Sequence, residues 1–301
     1  MSLTPEDWIR AALPTYGLEG CGFVMLRALG DAVARVETPG GPLSLRVNLP
    51  GSAQRQWEVH VLQALAAAAG LHVPVPLPDL EGHTVSPMLE GRTAVLASWG
   101  EGEQASRHLS PSLAAEIGRV TAQLHALHWN PDLWHGPVLD ASWLRGWWRD
   151  VAPKHLTSAD VGRCLPAVKH AAVWLELYAD NLQIIHADLH FGNLLALPGG
   201  KVGVLDFGEC ALAHPTFDVA MTEGEFMDFE EGPEYIAAYR AAYAAETGKA
   251  YPLQARELMT ACTATSFLAW VYGSENKQVR EQKLQWVPAL LERLAGHRLT
   301  A

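Results

Sequence analysis

The densest run of chemically capable side chains in this sequence lies between Ile184 and Glu209, reading IIHADLHFGNLLALPGGKVGVLDFGE. Three of its residues have types and spacing that suit one reaction. Asp188 sits in a short polar stretch directly after an apolar run, where a carboxylate can accept the proton of an attacking hydroxyl. Asn193 and Asp206 are oxygen donors of the kind taken by a hard divalent cation such as Mg2+, which keeps the rest of its shell for phosphate oxygens and water. Asp206 follows the apolar stretch from Val202 to Leu205 and precedes Phe207-Gly208, so its carboxylate emerges at a strand end. One proton acceptor and two such ligands form a minimal set for phosphoryl transfer, a reaction catalysed by positioning and electrostatics rather than by covalent chemistry of the protein.

The offsets reinforce this reading. His186, Asp188, Leu189 and Asn193 fall at the spacing of the kinase catalytic loop H-R-D-L-x-x-x-N, with Asp206-Phe207-Gly208 downstream. The segment resembles the aminoglycoside phosphotransferase and choline kinase family. The family's hallmark is similar to His186 through Leu194, followed by an apolar strand with Asp206-Phe207 and then by Asp218-Val219-Ala220. The stretch Ala122-Gln123-Leu124-His125 resembles the family's helix that closes on Leu-His, and Ala187 stands where the family usually has Gly.

The resemblance implies an α+β, bilobal protein-kinase-like fold. A small antiparallel-sheet N-lobe with one main helix would occupy residues 1–100 and end in a hinge, and a larger, mostly helical C-lobe would occupy 101–301. It implies ATP or GTP with Mg2+, and transfer of the γ-phosphoryl group to a hydroxyl of a small molecule. An amino sugar, an amino alcohol and a homoserine-like metabolite are open as acceptors, and some members phosphorylate protein serine or threonine. Arg46, in Leu45-Arg46-Val47, stands where kinases place a phosphate-anchoring Lys, with Glu58 placed to be its partner. The exchange is not neutral, because a guanidinium is a planar fork and an ammonium a compact point charge. Gly30 is the one glycine of the loop Ala28-Leu29-Gly30-Asp31-Ala32, and Asp31 would put a negative charge beside the phosphates. Backbone groups near Ser98 and Gly100 would hold the base at the family's hinge position.

The elements that must position these residues are legible from local signals. Thr4-Pro5-Glu6-Asp7 opens a helix. Residues 22–28, 31–38 and 43–49 read as strands, with turn chemistry from Thr38 to Pro42. Ser52 can cap a helix that ends near Gly70, with Val59, Leu62, Ala66 and Ala69 at helical spacing. Residues 84–89 and 93–98 suggest a further hairpin. Beyond the polar Trp99-Gly100-Glu101-Gly102-Glu103 stretch helices dominate: one after Ser110-Pro111, then 160–180, 233–247, 253–272 and 278–295. Trp143, Trp147 and Trp148 read as packing residues with Arg145 and Arg149 outside.

Composition narrows the partners. The net charge is −11, from 22 Lys plus Arg against 33 Asp plus Glu, which argues against a nucleic-acid binder. Hydrophobic residues make up 49% and charged residues 18%, which excludes a largely disordered chain. The four cysteines, at 21, 164, 210 and 262, form neither a disulfide framework nor a zinc ribbon, so a reducing cytoplasm fits. No signal peptide or membrane span is read. The acids Glu223, Glu225, Asp228, Glu230 and Glu231 read as a solvated helix face and loop, the alternative being a site for a cationic acceptor. Two rival functions stand beside the phosphotransferase. His186, Asp188 and His190 alternate, and on a strand would aim to one side as a zinc site wants, with Asp206 and His214 completing a two-metal hydrolase site. Arg46 and the single-glycine loop would also suit a kinase-like binding module without catalysis.

Overall fold

The computed structural model describes residues 3–29, 31–48, 56–68, 70–127, 129, 134–248, 253–273 and 277–296. It contains two compact units, Met1–Gly102 with Gly203–Gly208, and Glu103–Val202 with Glu209–Ala301.

The first unit begins with α1 (Pro5–Ala12), closed at its start by a capping box. The Thr4 hydroxyl accepts the Asp7 N–H at 3.2 Å, and the Asp7 carboxylate accepts the Thr4 N–H at 2.9 Å, which satisfies two amides the helix itself cannot. The strands β1 (Gly22–Leu29), β2 (Asp31–Thr38) and β3 (Gly41–Val47) pair antiparallel in sequence order. Next come α2 (Gln56–Ala67), β4 (Pro76–Leu77), β5 (Ser86–Pro87) and β6 (Thr93–Ser98), with β3, β4 and β5 all pairing antiparallel to β6. Alternation sorts the two faces. Ala32, Ala34, Val36, Leu45, Val47, Ala94 and Leu96 form one core with Trp8, Ile9 and Ala12 of α1. Val33, Arg46 and Val95 share a register row on the other face. The proposed caps and ends of α2 are partly out of reach: Ser52 and Ala69 lie outside the described residues, and the helix stops at Ala67.

In the second unit, β7 (Glu103–Gln104) precedes α3 (Pro111–His125), whose cap is Ser110 accepting the Leu113 N–H at 3.2 Å. Then follow β8 (Val138–Leu139), α4 (Ala141–Gly146), one wide turn over Trp147–Val151, α5 (Ala152–His155) and α6 (Ser158–Leu177). The short strands β9 (Gln183–Ile185), β10 (Leu194–Leu197), β11 (Lys201–Val204) and β12 (Ala211–Ala213) carry the motif segment. β12 pairs antiparallel with β9 and parallel with β8, and β10 pairs antiparallel with β7. The chain closes with α7 (Thr216–Phe226), α8 (Gly232–Thr247), α9 (Leu253–Gly273), α10 (Lys277–Leu284) and α11 (Val287–Gly296). The helix expected over 278–295 is therefore two, broken at Gln285-Trp286, with Pro288 in the first turn of α11 where its missing N–H costs nothing. Trp147 and Trp148 are buried, and the Trp148 ring N–H donates to Thr265 at 2.8 Å. Arg145 and Arg149 point outward to Glu176 and Asp150. No helix among the described residues is long and apolar enough to cross a membrane. The four cysteines are free thiols.

α3 and α8 approach so closely at Gly118 that an added Cβ would lie 2.2 Å from the Tyr239 carbonyl oxygen. Backbone, unlike a flexible side-chain tip, cannot yield cheaply. Gly118→Ala should therefore lower the unfolding free energy by about 2–3 kcal/mol, outweighing the ~1 kcal/mol that alanine gains in helix propensity. Urea unfolding of the two proteins reads the difference, and a stabilised variant would disprove the contact.

Candidate active site

Asp188 stands on the loop that leaves β9. Ile184 and Ile185 are buried in the pairing with β12, and the chain then turns sharply at Ala187, whose φ is +62°. A non-glycine residue in this region costs of order 1 kcal/mol and must be held there. Asp218, wholly buried near the start of α7, does so: its carboxylate accepts the N–H of His186 and that of Ala187, both at 2.8 Å. The same carboxylate lies 3.1 Å from His125 Nε2 at the end of α3, and His125 Nδ1 lies 2.9 Å from the Tyr243 hydroxyl of α8. Facing a carboxylate, Nε2 carries the proton, and Nδ1 then accepts from the phenol. Burial, with the Asp218 charge nearby, raises the Tyr243 pKa, so its hydroxyl stays a donor.

The rest of the loop is tied down in the same manner. The Leu189 carbonyl accepts from the Thr222 hydroxyl at 2.8 Å, and the Phe191 N–H donates to Glu225 at 3.2 Å. Within the loop, His186 Nδ1 accepts the Asp188 N–H at 3.2 Å and His190 Nδ1 accepts the Gly192 N–H at 2.9 Å. Asn193 is brought directly to Asp188: its Nδ2 donates to the Asp188 carbonyl at 2.9 Å and to carboxylate Oδ2 at 3.1 Å. That commits the amide nitrogen and leaves Oδ1 as the ligand-type atom. The Asp188 side chain is 37% exposed, so a carboxylate fixed by its loop still meets solvent.

Arg46, Glu58 and Asp206 come together in the first unit. Arg46 Nη1 reaches both Glu58 oxygens, at 2.9 and 3.1 Å, and its Nη2 donates to Asp206 Oδ1 at 2.9 Å. Burial works against this cation, but the carboxylates of Glu58, Asp206 and Asp31 overcome it and hold the Arg46 pKa above the ordinary value. Asp206 has a φ of +54° and stands two residues after Val204, whose N–H donates to the His72 carbonyl at 2.9 Å. The other oxygen of Asp206, Oδ2, meets Arg27 Nη1 at 3.3 Å. Asp31 is nearly buried and 3.9 Å from Arg27, so its charge is compensated by guanidinium groups. Gly30 lies outside the described residues. Ser98 is engaged with Val75 through both its N–H and its hydroxyl, each at 2.9 Å, and Gly100 follows just beyond β6.

Taken each in its own unit, Asn193 Oδ1 and the Asp206 carboxylate are hard oxygen donors of the chemical type that Mg2+ takes. The strand geometry invoked for a zinc hydrolase does not form, because β9 ends at Ile185 and 186–190 is loop. Among the described residues no three His, Cys, Asp or Glu side chains converge as metal ligands. The acidic stretch is also not one solvated face. Glu223 is fully buried and bound by Arg240 at 2.5 and 2.6 Å, and Glu225 anchors the Asp188 loop through the Phe191 amide, whereas Asp228, Glu230 and Glu231 are exposed. Sequence spacing gave no signal for Arg27, and it marked Glu225 only as one acid of a charged stretch, not as the partner of the Phe191 amide. Asp218 was visible as part of a motif, but its clamp was not.

Asp218→Asn replaces one acceptor oxygen by a donor facing a backbone N–H, so it should cost about 2–4 kcal/mol in urea unfolding and lower any loop-dependent activity. His214 supplies a pH test. Burial, helped by nearby His125, pushes its pKa down to about 4, and its Nδ1 lies 2.8 Å from the Thr216 hydroxyl. The fold therefore prefers the neutral ring: that stability is whole above about pH 6.5 and fades as pH falls toward about 4. Between pH 7 and 4 the wild-type unfolding free energy should fall by up to ~3 kcal/mol more than that of His214→Gln. Parallel pH profiles would remove His214 from the account.

The architecture has known counterparts. The sequence profile of the phosphotransferase enzyme family matches residues 28–258. No curated protein sequence matches the chain closely enough to count as a relative. Among solved structures, a microcompartment-associated aminopropanol kinase is 22% identical with 97% of each chain covered and a TM-score of 0.75. An amicoumacin kinase in complex with AMP-PNP, Ca2+ and Ami is 13% identical, with 96% of this chain and 92% of that chain covered and a TM-score of 0.73. A spectinomycin phosphotransferase in complex with ADP and spectinomycin is 13% identical, with 97% of each chain covered and a TM-score of 0.67. These likenesses establish a kinase-like α+β fold, and the profile match over most of the chain makes this protein a member of the phosphotransferase enzyme family.

Proposed function

We propose that the chain transfers the γ-phosphoryl group of ATP or GTP to a hydroxyl of a small amino alcohol or amino sugar. The observation that carries this reading is Asp188: a solvent-reaching carboxylate, oriented by Asn193, on a loop clamped by Asp218. As the acceptor oxygen forms its bond to the γ-phosphorus and the nucleoside diphosphate leaves, Asp188 takes the hydroxyl proton. Asn193 and Asp206 would hold Mg2+, which when bound neutralises charge on the phosphate oxygens. Arg46, kept in place by Glu58, would hold the α- and β-phosphates, and backbone groups near Ser98 and Gly100 would hold the base. A small acceptor is favoured because the solved structures with this fold include an aminopropanol kinase and a spectinomycin complex.

The test is a panel of amino alcohols and amino sugars screened with ATP and GTP plus Mg2+. On the best acceptor, Asp188→Ala should lower turnover by ~10²–10⁴-fold while nucleotide affinity changes little. Asp206→Ala should weaken Mg2+-dependent nucleotide binding more than Asn193→Ala, since a carboxylate is the stronger ligand. Wild-type turnover in Asp188→Ala would sink the base assignment.

A further inference from the structure

β1 contains an irregularity that bears on Asp206. Its pairing with β2 runs Phe23 to Val36 and Met25 to Ala34, then shifts, so that Arg27 rather than Leu26 pairs with Val33. Leu26 is the extra residue of a bulge and is 53% exposed. Without the shift Arg27 would face Ala32, on the side of the sheet that packs against α1. With it, Arg27 joins the register row of Val33 and Arg46, since Val33 pairs with Arg46 on β3. A bulge that re-aims one side chain in this way is a built feature of a strand.

The re-aimed guanidinium meets Asp206, which thus has one arginine on each carboxylate oxygen. The two are held unequally. Arg46 is tied to Glu58 as well, its side chain is 17% exposed, and its contact with Asp206 is 2.9 Å. Arg27 is 42% exposed, contacts Asp206 at 3.3 Å and lies 3.9 Å from a second carboxylate, Asp31. When Asp206 serves as a metal ligand, Arg27 is the partner that can give way.

We propose that Arg27 is a phosphate-binding residue of this enzyme, stored on Asp206 and passed to the β- and γ-phosphate oxygens of the nucleotide when Asp206 takes up its metal. The inference rests on the phosphotransferase reading. Its logic is electrostatic: Asp206 would hold the metal that neutralises charge on the transferring phosphates, so a guanidinium kept on the second oxygen of that carboxylate would be close to the same phosphate charge. A guanidinium fork suits phosphate oxygens, and here it adds positive charge to a hairpin that has one glycine and an aspartate at its turn.

Calorimetric titration of the full chain with ATP, ADP and AMP, each with Mg2+, tests this on wild type, Arg27→Met and Arg27→Lys; GTP, GDP and GMP replace them if GTP is the better ligand. Arg27→Met should weaken triphosphate and diphosphate binding about tenfold, leave the monophosphate within about twofold, and be partly rescued in Arg27→Lys. In the wild type, Mg2+·ATP should protect Arg27 from phenylglyoxal, read by peptide mass spectrometry, a measurement that needs no variant to fold. If wild type binds no nucleotide, the phosphotransferase reading falls and this inference with it. If wild type binds but Arg27→Met binds equally well or more tightly, or Arg27 is not protected, Arg27 is only a partner of Asp206 and this inference alone is overturned.

Discussion

The buried carboxylate of Asp218 is the constraint on which the second unit depends. An isolated charge in this position would be prohibitively costly, and it is tolerated because three donors converge on it: two backbone amides and an imidazole. The arrangement is mutual. The amides belong to a turn whose backbone is strained at Ala187, and the carboxylate is what holds that strain. The imidazole belongs to the last residue of α3 and carries the network on to Tyr243 of α8. Three helices therefore fix the direction in which the loop delivers Asp188. Gly118 contributes from a distance, because only a glycine lets α3 and α8 approach as they do.

Arg46 plays the corresponding part in the first unit, and its being arginine is intelligible. It serves two carboxylates at once, Nη1 facing Glu58 and Nη2 facing Asp206. A guanidinium has separated donors in a fixed plane and can bridge two acids, whereas an ammonium concentrates its charge at one point. The bridge links β3 and α2 to Asp206, and the His72–Val204 hydrogen bond secures the strand leading to it. Two guanidinium groups, Arg27 and Arg46, stand among the three carboxylates of Glu58, Asp31 and Asp206, so most of the acidic charge of this cluster is met locally.

The helix α7 shows how one sequence segment divides among tasks. Asp218 clamps the turn at Ala187, Thr222 bonds the Leu189 carbonyl, Glu223 is locked by Arg240, and Glu225 holds the Phe191 amide. Glu223 and Glu225 read as part of an acidic, solvent-facing stretch only while their partners are out of sight. The buried ones are there because each has a donor in place, which is the condition for burying a carboxylate at all.

What the sequence determined by itself was whatever depends on local chemistry. The capping box at Thr4, the turn at Thr38 to Pro42, the alternating strands of the first unit and the helix opened by Ser110 follow from neighbouring residues, because the forces involved act over a few positions. The family motif carried by Asp188, Asn193 and Asp206 was legible for the same reason: it is a matter of residue types at fixed short offsets. Tertiary structure alone decided which partner each charge would meet. Nothing near Arg27 in sequence announces a bulge at Leu26, and a single extra residue is enough to send a side chain to the opposite face of a sheet. Nor could Glu223 be told from Glu230, since what separates buried from solvated acids is Arg240, supplied by a different helix. Long-range pairing of charges is set by packing, and packing is a property of the whole chain rather than of any window within it.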